Sequence, residues 1–292
     1  MKYFNFNQIY IIESLPEGEL HTGRSIYEDI RTMALQHPDL DVQYKDICCL
    51  QEWDILMNEI LDDCRTTGRI PILHLEIHGD GNGKGLFLKN NEFVSLEHAG
   101  NQFRQINVAT GCNLFLTLGV CKGLYLLFNM HLNLPMPFIG AVGSFDDLFS
   151  YDIECRYSRF YETFFDSLDI GKAYLALLNE NTGIDPKYRY IAADEIFYKC
   201  YLGYIKEKCT VEAVQKRASE SIREAGIAIN RNDRRKKERE FVKLEKKTRG
   251  QYYRQAVETF FDIERFPYNL ERFEVPNTFS KLEEKCKYLA TV

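Results

Sequence analysis

Two apolar runs that each end in a chemically capable side chain constrain this fold more than any other feature. The first, IPILHLEIHG, has Ile72, Leu73, Leu75 and Ile77 as its apolar positions and stops at His78 and the tract Gly79-Asp80-Gly81-Asn82-Gly83. The second, CNLFLTLGVCKG, is almost unbroken in apolar residues from Leu114 to Val120 and ends at Cys121, followed by Lys122 and Gly123. Strands this apolar belong in a parallel sheet covered on both faces. In such sheets reactive groups gather at the carboxyl ends of the strands. A right-handed crossover over residues 80–112 would set the two tips side by side. A Cys/His pair requires this arrangement, because the thiolate is the nucleophile and an imidazole can hold its proton and return it to a leaving amine. Taken singly, a cysteine at a strand end is more often a small buried apolar residue; the pairing at matching ends favours the chemical reading.

The segments around this pair predict an α/β sheet. Residues 8–14 read as a first strand and LPEGELHTG as the loop after it, with Thr22 or Ser25 able to cap a helix that turns Ile26, Ile30, Met33 and Ala34 inward. LDVQYKDI reads as the next strand and residues 51–65 as a helix with Trp53, Met57, Ile60 and Cys64 on one face. A hairpin (residues 85–89 and 92–94) and a helix from Leu96 to about Ile106, capped by Ser95, complete the crossover. LYLLFNMHLNL is apolar enough for a buried helix, and PMPFIGAVGSF supplies a fifth strand. YDIECRYSRFYETFFDSL and IGKAYLALLNEN follow as helices, the first with an aromatic stripe expected to be core. Strand and helix alternate, hence an α/β domain over 1–185, with a helical region over 186–292.

Composition narrows the function. With 292 residues and 45% hydrophobic content the chain can bury more than one core. A net charge of -6 gives no general drive toward nucleic acid, which is not expected as a partner. No stretch reaches the 18 apolar residues of a membrane span, and MKYFNFNQIY has no signal-peptide pattern, so a cytoplasmic protein is expected. Nine scattered cysteines, Cys286 the last, show no C-x-x-C spacing, which argues against a zinc site and a disulfide framework; no metal and no cofactor are expected. GDGNGKG is neither a phosphate loop, since Gly85 stands where a hydroxyl is needed, nor a calcium loop, since Lys84 occupies a ligand position and Asn91 the twelfth.

The pair IHGDG and GVCKG resembles the His-Gly and Cys-x-Gly signatures of caspase-like cysteine peptidases. From His78 to about Asn179 the chain is similar to the CHAT branch of that clan, which includes separase-like and bacterial defence-associated proteases. The resemblance implies a mostly parallel caspase-like sheet flanked by helices, Cys121 as nucleophile, His78 as general base and acid, and the amides of Gly79 and Cys121 as oxyanion donors. It also implies a regulated bacterial protease in anti-phage defence or programmed cell death, acting on a protein substrate, for which the effector of a neighbouring gene is a candidate. Gly119 and Val120 stand where caspases carry Gln-Ala, so the preference for the residue preceding the cut (P1) does not carry over. Residues 122–136 are too few for a cleavable linker between subunits, and a single-chain enzyme is expected.

Two readings of specificity follow. Asp80, Asp146 and Asp147 could line an S1 pocket for a basic P1 side chain. Arg24, in a loop resembling the one where caspases keep an S1 arginine, would select an acidic one; the three carboxylates favour basic. Within 231–249 ten Lys or Arg stand against four Asp or Glu, a pattern read as a solvated helix face with i to i+4 pairs. The region 186–292 has no histidine, so its expected role is regulatory or partner-binding. The alternative function for the whole chain is a catalytically silent caspase-fold interaction module that signals through that region.

Overall fold

The computed structural model describes residues 4–226, 230–278, 281–282 and 284–285, so Cys286 lies outside the described residues. The chain divides into two compact units, Met1–His131 with Pro135–Ala193, and Leu132–Leu134 with Asp194–Val292.

In the first unit, β1 (Gln8–Ser14), α1 (Thr22–Ala34), β2 (Asp41–Asp46), α2 (Leu50–Thr66) and β3 (Pro71–Gly79) come first. The hairpin β4 (Gly85–Phe87) and β5 (Phe93–Ser95), α3 (Leu96–Ala109) and β6 (Phe115–Leu118) follow. A 3-10 helix over Gly123–Asn129, β7 (Gly140–Ser144), α4 (Ser150–Ser167), α5 (Ile170–Asn179) and β8 (Tyr188–Ala192) complete it. The sheet order is β2-β1-β3-β6-β7-β8, parallel except for β8, which runs antiparallel to β7; β4 pairs with the end of β3. This is an α/β fold with a mostly parallel mixed sheet flanked by helices.

Side chains alternate across a strand, and on β3 the two faces carry different chemistry. Leu73, Leu75 and Ile77 join the apolar cluster with Trp53 and Met57 of α2 and Phe103 of α3. His74 and Glu76 lie on the opposite face, fully buried. There Glu76 Oε2 accepts from Thr22 Oγ1 of α1 at 2.7 Å, and Oε1 lies 2.8 Å from His74 Nε2. His74 Nδ1 meets Thr117 Oγ1 at 2.9 Å, and that hydroxyl meets Tyr161 of α4 at 2.8 Å. A buried carboxylate without such partners would cost several kcal/mol, on the order of the penalty for desolvating an ion; here every contact is a hydrogen bond.

Some expectations change. Ser95 caps α3 by accepting from the amide of His98 at 3.1 Å. Neither Thr22 nor Ser25 caps α1: the carboxylate of Glu13, at the end of β1, accepts from the amides of Gly23 (2.8 Å) and Arg24 (3.3 Å), placing a negative charge at the positive end of the helix. LYLLFNMHLNL forms only the short 3-10 helix. Arg104 takes the carbonyls of Asn129 (3.2 Å) and Pro135 (2.8 Å), and Met130 is already extended. The sheet also continues past residue 185, because YRYIA pairs with β7 from Tyr188↔Ser144 to Ala192↔Gly140. A unit ending at 185 would lack this strand.

The second unit contains α6 (Ala193–Lys208), α7 (Val211–Glu224), α8 (Arg231–Phe260) and α9 (Asn269–Arg272). Its aromatic residues pack on one another: Phe197 meets Phe260 at 4.8 Å and Phe261 at 5.1 Å between ring centroids, and Phe261 meets Phe273 at 5.1 Å. Rings at these separations add about 0.5–1.5 kcal/mol per pair beyond the area they bury.

Burial holds the Glu76 carboxyl above its ordinary value, against the opposing hydrogen bonds from His74 and Thr22. A group that binds its proton more tightly when folded supports folding below its unfolded pKa and loses that support as pH rises through its folded value. The expected outcome for Glu76→Gln is therefore a stability that gains on the wild type as pH rises above the ordinary carboxyl value of 4.5, read by denaturant melts across pH. A constant difference between the two proteins would show that Glu76 does not titrate in this range.

Candidate functional site

The pairing of β3 with β6 builds the site. Ile72↔Phe115 through Leu75↔Leu118 set a fixed register with an offset of 43 residues, and the amide of Gly119 extends the ladder to the carbonyl of Leu75 at 2.8 Å. The same offset puts His78 opposite Cys121. The strand tips touch: a Cβ placed on Gly79 would lie 1.7 Å from the carbonyl oxygen of Cys121. Only glycine permits that approach. Two residues earlier, a Cβ on Gly119 would lie 2.1 Å from Glu76 Oε1, so the segment before the cysteine rests on the buried carboxylate.

Three loops converge here. His78 Nε2 lies 2.8 Å from Glu19 Oε2, in the loop after β1, with both side chains about half exposed. That contact leaves Nδ1 as the second nitrogen of the ring. Cys121 Sγ accepts from the amide of Leu148 at 3.2 Å and lies 3.7 Å from that residue's carbonyl. The amide of Cys121 finds no acceptor among the described residues. Lys122, in the left-handed conformation with φ of 58°, donates its amide to Asp146 O at 3.0 Å. Its Nζ reaches Gly81 O at 2.6 Å and Asp147 Oδ1 at 3.3 Å. One side chain thus ties the loop after His78 to the loop after β7.

The expected site residues divide. Gly79 meets the Cys121 carbonyl, and the strand register sets His78 opposite Cys121. Asp80 lies beside them, but its carboxylate accepts from the amides of Asn82 and Lys84, both at 3.2 Å, and shapes its own turn. Asp147 is paired with Lys122. Asp146 is exposed, and its carboxylate has no partner among the described residues. Arg24 is exposed on the first turn of α1, its amide on Glu13. Cys112, at the start of the strand, is fully buried.

Glu19, Lys122 and Leu148 were not anticipated as site residues. The position of Glu19 at the carboxyl edge of β1 was the available signal, since loops at that edge line the site. Leu148 acts through its backbone, which side-chain chemistry does not reveal. Among the described residues no group of three or more His, Cys, Asp or Glu could hold a metal ion. Nor is any helix among them long and apolar enough to cross a membrane. No protein-family model matches this chain, and neither does any curated protein. What the fold and site define is an α/β unit with a histidine and a cysteine at neighbouring strand tips.

Gly79→Ala forces the β3 and β6 tips apart. Overpacking of this kind costs about 1–3 kcal/mol, and the loss should appear in denaturant melts together with changed thiol reactivity at Cys121. Wild-type stability and reactivity in that variant would contradict the close approach.

Proposed function

We propose that the chain is a caspase-like cysteine endopeptidase of CHAT-like type, with Cys121 as nucleophile and His78 as general base and acid. The observation that carries this reading is the meeting of the two strand tips, with Gly79 pressed against the Cys121 carbonyl. His78 takes the proton from Sγ, and the thiolate attacks the peptide carbonyl to give a tetrahedral oxyanion. The amides of Cys121 and Gly79 are the donors proposed for that oxyanion. When the C–N bond breaks, His78 returns the proton to the leaving amine. Water, activated by the same imidazole, then hydrolyses the thioester and frees Sγ. Glu19 orients the imidazole. An exposed pair is worth about 0.2–1 kcal/mol, so it aligns the ring rather than supplying the driving force. The substrate would be a protein, and the setting regulated proteolysis in anti-phage defence or programmed cell death.

Cys121→Ala should abolish peptide cleavage and leave the melting transition in place, while Cys112→Ser should retain most activity. The assay is turnover of a peptide library together with labelling by a thiol-reactive peptide probe. Full cleavage by Cys121→Ala would overturn the assignment.

A basic P1 preference is the expected specificity, with Asp146 as its carboxylate, because Asp80 and Asp147 are already engaged. Asp146→Asn should lower kcat/KM for Arg or Lys at P1 at least about tenfold, the size of a lost charged hydrogen bond of 1.5–3 kcal/mol. Cleavage only after Asp in the wild type would point to Arg24 instead.

A further inference from the structure

The hairpin that follows His78 carries two exposed rings beside the imidazole. β4 pairs with the end of β3 as His78↔Phe87 and Gly79↔Leu86, and β5 pairs with β4 as Phe87↔Phe93. Residues opposite one another in an antiparallel ladder put their side chains on one face, so His78, Phe87 and Phe93 form a row. The other face of the hairpin belongs to the core, where Leu86 and Val94 are buried with Ile77. The two phenylalanines are not buried: they are 37% and 42% exposed, with ring centroids 5.3 Å apart. Phe93 lies over Gly85, where a Cβ would collide with its ring. That glycine gives the ring a flat seat.

The row has a direction. β6 occupies one edge of β3 and β1 the other. β1 stops at Ser14, paired with Ile77, and Ser14 Oγ accepts from the amide of Lys89, just past β4, at 2.9 Å. The hairpin therefore continues on the β1 side, away from Cys121. Across the strand tips the order is Cys121, His78, Phe87 and Phe93, at spacings of about 4.8 Å. A general acid must reach the amine that it protonates, so the part of the substrate that departs with that amine lies over His78 and beyond it. Beyond it are the rings. Two strand spacings from Cys121 correspond to about three residues of extended chain, at roughly 3.3 Å each.

We propose that Phe87 and Phe93 form a subsite for an aromatic side chain within the first three residues after the cut, positions P1′ to P3′. The proposal rests on the role of His78 as the acid that serves the leaving amine. A third ring would complete the offset or edge-to-face packing that the pair already begins, and would cover the faces it leaves open. The subsite is separate from Asp146 and Asp147, which belong to the loop held by Lys122 beside Cys121. Selection before the cut and selection after it can therefore be read independently.

The test is a peptide library randomised on both sides of the cut, digested by the full-length chain and read by mass spectrometry, followed by kcat/KM for paired peptides with Phe or Ser at the preferred position. Phe should be favoured over Ser at one of P1′ to P3′ by at least about tenfold, the lower end of what an apolar pocket discriminates. Phe87→Ser and Phe93→Ser should each lower that ratio several-fold and keep the preference at P1, with circular dichroism as the check on folding. Phe87→Leu and Phe93→Leu, which retain an apolar side chain on the hairpin, should lower the ratio too, and they decide the matter if the serine variants unfold. Cleavage with no aromatic preference at P1′ to P3′, or with one that every folded variant retains, would overturn the subsite and leave Cys121 and His78 in their roles. A wild type that cleaves no member of the library would overturn the endopeptidase reading, and the subsite with it.

Discussion

The site depends on how closely β3 and β6 approach at their ends. Parallel neighbours lie about 4.8 Å apart along their hydrogen bonds, and at the tips two positions lack the side chain that would clash there. Gly79 has no Cβ where the Cys121 carbonyl would meet it, and Gly119 has none where Glu76 lies. The register then leaves no freedom over which residues face one another: a slip of one residue would also turn Leu73, Leu75 and Ile77 away from the α2 and α3 layer. Packing of the core and juxtaposition of His78 with Cys121 are thus the same constraint.

Beneath the tips is a polar layer that a purely apolar sheet would not need. Glu13 and Glu76 are buried carboxylates at the ends of adjacent parallel strands, near the amino-terminal end of α1. Glu13 is satisfied by the α1 amides, by Tyr44 Oη at 2.6 Å and by His21 Nδ1 at 2.8 Å. Glu76 is satisfied by Thr22 and His74. Breaking one such partnership leaves an uncompensated buried charge and costs about 3–5 kcal/mol. The layer therefore resists rearrangement directly under the segment that carries Cys121, and it fixes the α1 end from which the Glu19 loop departs.

What was legible in the sequence was whatever rests on hydrophobic pattern. The apolar runs ending at His78 and Cys121, the α2 face of Trp53, Met57, Ile60 and Cys64, and the Ser95 cap all express local periodicity or local hydrogen bonding. Features that depend on partners distant in sequence were not legible. Glu13 caps α1 from another strand, Arg104 ends the segment after Gly123 by taking its carbonyls, and Glu19 reaches His78 across 59 residues. β8 is a short edge strand whose existence depends on β7 offering a free edge. In α8 the residue spacing allowed several ion pairs, and among the described residues only Glu245–Arg249 forms, since each exposed pair is worth too little to hold two long side chains in place.

Lys122 is the residue through which the fold reaches from scaffold to chemistry. Its left-handed backbone is a conformation that costs a non-glycine residue on the order of 1 kcal/mol and persists where the surroundings hold it. Here the Asp146 carbonyl holds its amide, while Gly81 and Asp147 hold its ammonium. The turn it makes carries the chain away immediately after Cys121. It leaves the cysteine amide without an acceptor among the described residues, and the sulfur lies against Leu148. A cysteine that merely fills space needs neither an unengaged amide nor a left-handed successor.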